Sequence, residues 1–219
     1  MTIKKIPETT ISRLFLYLRK VTELSKLSMK RVSSAELGES LNLGAAQVRK
    51  DLGYFGHFGV SGAGYVVTEL KEKLSKILGK DKTFNVAIVG IGHLGTALLA
   101  YSQFKKQGLN LVAAFDTDVN KIGKQLQGVE IKAVSDMKNI IKEKKISLGI
   151  IAVPAKGAQD VADILTDAGV KCILNFAPKY LNVPEEVKVR DVDLCRELEM
   201  LSYFLSNGKK VKLWAIKTS

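Results

Sequence analysis

Over the first eighty residues the apolar positions fall at helical spacing. Ile11, Leu14, Phe15, Leu18 and Val21 recur every three or four residues, predicting a core-facing helix of about four turns from Pro7 onward. Ser33-Ser34-Ala35-Glu36 offers an N-cap with a capping-box carboxylate, and Leu37 and Leu41 extend a short second helix toward the turn Asn42-Leu43-Gly44. A third helix runs Ala45 to Leu52, with Val48 and Leu52 facing the core at i,i+4 and Gln47, Arg49, Lys50 and Asp51 pointing elsewhere. From Gly53 to Tyr65 aromatics alternate with glycines before Val66 and Val67, a pattern that predicts a β-hairpin with a flexible tip.

The pattern changes after residue 80. Phe84–Val89 is a continuous apolar run, as expected of a strand buried on both faces, and a helix over Thr96–Phe104 follows. Strand Leu111–Phe115, helix Ser135–Glu143, strand Leu148–Val153, helix Lys156–Ala168, strand Cys172–Phe176 and the β-rich segment Val187–Asp193 continue the alternation. Such alternation predicts an α/β fold, a doubly wound parallel sheet of the Rossmann type. Leu194, Leu198, Leu201 and Leu205, widened by Met200 and Phe204, then stripe a last helix up to Asn207-Gly208. So wide an apolar face seeks a partner, within its own domain or in a second copy. The expected boundaries are 1–80 for the head, 81–193 for the sheet and 194–219 for a dimerisation helix and tail.

Charge sharpens the reading of the head. The chain of 219 residues carries a net charge of +12, and residues 1–80 hold 14 Lys/Arg against 7 Asp/Glu. A basic short-helix, tight-turn, helix pattern followed by a narrow hairpin is a winged helix-turn-helix for double-stranded DNA. Gln47 can pair bidentately with adenine, Arg49 and Lys50 can reach guanine edges or phosphates, and Tyr54, Ser61 and Tyr65 lie at the wing. A basic hairpin used for protein contacts is the other reading of the same features.

Between the first strand and its helix stands Gly90-Ile91-Gly92-His93-Leu94-Gly95, a GxGxxG in its required strand-turn-helix context. The first glycine permits a tight turn, the second lets the backbone approach a pyrophosphate, and the third lets helix and strand pack closely. Asp116 ends the second strand 21 residues beyond Gly95, where a carboxylate can take the ribose hydroxyls of NAD or NADH. Thr117 and Asp118 supply no cation for a 2′-phosphate, so NAD is favoured over NADP, unless Asp116 merely begins a turn. Val153, Pro154, Phe176 and Pro178 should line the nicotinamide side, beyond the carboxyl ends of their strands.

No catalytic residue and no metal site is expected. The histidines are His57 in the wing and His93 in the glycine loop, neither well placed to exchange a proton beside a nicotinamide. Tyr101-x-x-x-Lys105 lies too early for short-chain dehydrogenase chemistry. Cys172 and Cys195 lack metal spacing and read as buried apolar thiols. With no secretory leader and no membrane-length apolar run, a soluble cytoplasmic protein is expected.

Ser12-Arg13-Leu14, Tyr17-Leu18-Arg19, Ser33-Ser34, Gln47–Leu52, Tyr54-Phe55-Gly56, Gly62–Tyr65, the glycine loop, Ile173–Pro178 and Asp191-Val192-Asp193 together resemble the bacterial Rex redox-sensing transcriptional repressors. The resemblance implies a homodimer with domain-swapped C-terminal helices that represses palindromic operators and releases them when NADH binds. It also implies a polar network of Arg19, Tyr101 and Asp193 that rearranges between states. Ser61 and Leu194 depart from the pattern, where a basic and an aromatic residue are common. The alternatives are an NAD-dependent oxidoreductase with a basic accessory domain, or a regulator sensing another nucleotide such as a CoA derivative.

Overall fold

The computed structural model describes residues 6–59 and 63–207, so Ser61 and Gly208 lie outside the described residues. The chain divides into two units, meeting in sequence at Asp81/Lys82.

Among the described residues the first unit is built from four helices and a small ribbon. α1 (Glu8–Lys26) buries Leu14, Tyr17 and Val21, with Leu18 half-buried. Ile11 and Phe15, expected in the core, are instead 39% and 44% exposed. The buried face is rotated toward Tyr17, whose hydroxyl finds a buried carboxylate, and an aromatic with a satisfied polar tip is well accommodated in a core. β1 (Arg31–Val32) leads to α2 (Ser34–Glu39), which starts with the expected capping box: the Glu36 N–H donates to Ser33 Oγ (3.1 Å) and the Ser33 N–H to Glu36 Oε2 (2.7 Å). α3 (Ala45–Gly53) buries Val48 and Leu52, and also Asp51, which was expected to point away from the core.

The aromatic-glycine segment differs from the expected hairpin. Phe58 is buried and Phe55 packs on the core. The strand that follows, β2 (Tyr65–Val66), pairs antiparallel with β1, Arg31 opposite Val66. α4 (Val67–Ile77), missed from sequence, buries Val67, Leu70 and Leu74 at helical spacing.

The second unit is a seven-stranded sheet of order β5-β6-β4-β3-β7-β8-β9, formed by β3 (Phe84–Val89), β4 (Leu109–Asp116), β5 (Gln125–Leu126), β6 (Val129–Ala133), β7 (Leu148–Ile151), β8 (Cys172–Asn175) and β9 (Lys188–Asp191). All pairings are parallel except the β5–β6 hairpin, whose turn residues Gln127 and Gly128 both have positive φ. From β3 the chain passes first to β4 on one side and later to β7 on the other, so the reversal of strand order falls at β3. One sheet face packs Phe115 and Ile151 against α7 (Met137–Glu143) and α8 (Ala155–Asp167) through Met137, Ile141, Val161 and Leu165. The other gathers Val86, Ile88, Ile91, Leu99 and Ile131.

The helix expected over Thr96–Phe104 is two pieces, α5 (His93–Leu99) and α6 (Gln103–Lys106), so Tyr101 stands at a break rather than within a helix. α9 (Leu194–Asn207) leaves its leucine stripe exposed. Cys172 and Cys195 are both exposed, against the expectation of buried thiols. Cys172 begins β8, where the pleat turns it outward while Ile173 points into the core. Among the described residues no helix is long and apolar enough to cross a membrane, and no cluster of metal-ligating side chains occurs.

Candidate functional site

At the reversal of strand order the glycine loop is held down by two bonds to β4. The Gly90 N–H donates to the Phe115 carbonyl (2.8 Å) and the Ile91 N–H to Asp116 Oδ2 (2.8 Å). Gly90 sits at φ +93°, and a Cβ there would press on the Ala152 carbonyl of the neighbouring strand end. A Cβ on Gly95 would overlap the Gly90 carbonyl oxygen, whereas one on Gly92 would meet only open space. The three glycines thus divide the work: Gly90 makes the turn, Gly95 lets α5 close on it, and Gly92 keeps the approach clear.

Beside the loop lies a cavity of about 760 Å³, within the range of small-molecule sites. Gly90, Gly92, His93, Leu94, Asp116, Val153, Pro154 and Phe176, all expected from sequence, line it. Ile91 and Gly95 do not: Ile91 is buried in the core with its N–H committed to Asp116, and Gly95 is packed beneath the loop. Pro178 lines an adjoining cavity of about 390 Å³ shared with Leu94, Phe176 and Leu194.

Asp116 is 8% exposed and already holds three donors: Ile91 N–H, Asp118 N–H (2.9 Å) and Lys121 Nζ (3.1 Å). Burial alone would raise its carboxyl, but those two backbone N–H groups and Lys121 outweigh it and hold the group below the usual carboxylate value. Lys121 is a site residue that the sequence reading does not include: a turn from Asp118, closed by the Lys121 N–H on the Asp118 carbonyl, brings this cation back to the Asp116 carboxylate.

In the first unit α3 presents Arg49 and Lys50 to solvent, with Arg49 Nη1 donating to Ser34 Oγ (2.9 Å). Arg49, Ser34, His57, Gly59 and Tyr65 border a cavity of about 580 Å³; Tyr54, half-buried at the C-terminal end of α3, does not line it. Gln47 donates to Asp51 Oδ1 (2.9 Å). Asp51, fully buried, also takes Thr10 Oγ1 (3.1 Å), Tyr17 OH (2.7 Å) and a two-pronged bond from Arg13 (2.6 and 2.7 Å). Burial pushes its carboxyl up, and the bonds from Arg13, Tyr17 and Gln47 pull it below the ordinary range; the same burial and the Asp51 bond raise Tyr17.

Of the expected polar network, Arg19 is exposed on α1, Tyr101 packs edge-on against Phe104, and Asp193 accepts the Arg196 N–H (3.0 Å) at the start of α9. Tyr101 and Asp193 form no bond with one another.

A dinucleotide-type cradle and a basic helix-turn-helix in one chain define a ligand-responsive transcriptional regulator. Comparison with known proteins agrees. Residues 81–179 match the family described as CoA binding domain, and residues 5–53 the family described as putative DNA-binding protein N-terminus. The redox-sensing transcriptional repressor Rex of Desulforamulus reducens is 45% identical over 96% of this chain and 100% of its own length. That of Carboxydothermus hydrogenoformans is 49% identical over 91% and 96%. A crystal structure of RSP in complex with NAD+ and operator DNA superimposes with a TM-score of 0.90 at 41% identity, covering 94% of this chain and 95% of that one. A structure of RSP with NADH gives 0.83 at 39% identity over 94% and 97%. The chain belongs to the Rex family of redox-sensing transcriptional repressors, a regulatory role and not an enzymatic one.

Proposed function

We propose that this chain is an NADH-responsive repressor: NADH in the 760 Å³ cavity favours a dimer whose reading helices no longer match the spacing of operator half-sites. A ligand acts in this way only if its affinity differs between the DNA-bound and released states. The observation that carries the reading is the pair of relatives' structures, one with NAD+ on operator DNA and one with NADH, each similar over nearly the whole chain.

In this reading Gly90, Gly92, His93 and Leu94 cradle the pyrophosphate, with Ile91 and Gly95 holding the loop in shape. Asp116 takes the adenosine ribose, and Val153, Pro154, Phe176 and Pro178 flank the nicotinamide. Arg49 and Lys50 on α3, Tyr54 at its C-terminal end, Tyr65 on β2, and Ser61, which lies outside the described residues, contact DNA. The exposed stripe of α9 supports a homodimer with exchanged C-terminal helices, and the network of Arg19, Tyr101 and Asp193 would form across it. The protein would work in the cytoplasm, with segments 1–80, 81–193 and 194–219 as reader, sensor and dimer element.

The test is a fluorescence-anisotropy titration of a palindromic operator at fixed salt, repeated with NADH, NAD and NADPH. Release by NADH at concentrations where NADPH has no effect is expected. Operator binding indifferent to NADH would overturn the sensor reading, and no operator binding would overturn the reader.

A further inference from the structure

Gln47 stands on the exposed side of a DNA-reading helix by sequence, yet its amide turns back along its own helix. A glutamine that reads adenine uses both ends of its amide, Nε2 donating to N7 and Oε1 accepting from N6, with the plane aimed outward. Here Nε2 donates at 2.9 Å to Asp51 Oδ1, one turn further along α3.

Asp51 is fully buried, and its two oxygens receive five donor contacts: Thr10, Arg13 Nη2 and Gln47 on Oδ1, Arg13 Nε and Tyr17 on Oδ2. A carboxylate offers about four lone-pair positions, so this one is saturated. Three of its four partner residues belong to α1, which makes it the polar lock between α1 and α3. A glutamine recruited to DNA would leave a charge-assisted bond to a buried acceptor, a stronger bond than one between neutral groups.

We propose that Gln47 is a positioning residue and not a base reader: it completes the Asp51 lock that sets α3 on α1, and base discrimination by this helix falls to the exposed Arg49 and Lys50. This rests on the reading of α3 as the DNA-contacting helix. The division of labour also accounts for the run Gln47–Asp51 having one outward cationic pair between two residues that bond each other.

The experiment takes an operator selected from a randomised duplex pool and measures affinity by anisotropy for it and for duplexes with each half-site base pair replaced. Wild type, Gln47→Ala, Gln47→Leu and Lys50→Ala are compared at one salt concentration. Gln47→Ala leaves Oδ1 with Thr10 and Arg13, so it folds, which a melting curve checks. Expected for both Gln47 variants is a uniform loss of about threefold on every duplex, the order of one hydrogen bond, with the ranking of base pairs unchanged. Lys50→Ala is expected to lose about tenfold or more and to flatten discrimination at one position. Loss of discrimination at a single base pair in a Gln47 variant, with affinity for the other duplexes kept, would overturn the positioning role. An unchanged operator affinity for Lys50→Ala would instead overturn the reading of α3, and this inference with it.

Discussion

Each unit of the molecule is organised around one aspartate at the edge of its core, and the two are held by different means. Asp116 is fastened mainly by backbone, the N–H groups of Ile91 and Asp118, with Lys121 five residues away. Asp51 is fastened only by side chains, most of them from a helix 34 to 41 residues earlier. A backbone N–H survives every substitution except proline, so the hold on Asp116 does not depend on which side chains stand at Ile91 and Asp118. The head places its reading helix through a polar cluster in which every member matters, because a buried charge left without partners is costly.

Removing the lock should have the largest effect. Asp51→Ala strands the Arg13 guanidinium and the Tyr17 hydroxyl and is expected to destabilise the head by about 3–5 kcal/mol. Urea unfolding should show that loss together with lost operator binding, while NADH affinity measured by fluorescence stays near wild type. A head as stable as wild type would mean the cluster is not its anchor.

In the cradle the matching disruption is steric. Gly95→Ala forces a Cβ onto the Gly90 carbonyl and is expected to cost about 1–3 kcal/mol or more, lowering the melting temperature and NADH affinity together. Gly92→Ala meets open space, so the melting temperature should hold while NADH affinity drops. Equal melting losses for the two variants would break the assignment of separate roles.

A gentler pair separates sensor from reader. Lys50→Ala should weaken operator binding about tenfold and flatten discrimination at one base pair, with NADH affinity unchanged. Asp116→Ala should weaken the NADH response and leave operator affinity in place; equal losses in both assays for either variant would contradict the division.

The smallest effect concerns pH. Both aspartates titrate below the ordinary carboxylate value of about 4 in the folded protein. Their stabilisation is therefore fully present above that value and drains away as pH falls through the lower folded values. Stability attributable to either should be flat from pH 8 to 5 and fall below about pH 4. An acid transition above pH 5 that disappears in Asp51→Ala would overturn the sign for that group.

How far the sequence carried differs between the units for the same reason. The capping box at Ser33 and Glu36, the glycine loop, Asp116 at a strand end and the parallel alternation were legible because each depends on residues within a few positions, or on a period set by the backbone. The α4 stripe Val67, Leu70, Leu74 and the Gln127-Gly128 turn carry the same kind of local signal. Lys121 stands one residue beyond a turn running from Asp116 to Asn120, and the fold brings it back to the carboxylate.

By itself, then, the sequence determined two functional modules, a helix-turn-helix and a dinucleotide cradle, through local spacing and backbone geometry. Only the tertiary structure decided that Tyr17 and Asp51 go inside while Ile11 and Phe15 remain partly exposed, that β2 pairs with β1, and that Gln47 turns inward. Those outcomes depend on which groups meet across a core, and a buried carboxylate selects its donors by distance in space, which spacing along the chain does not encode.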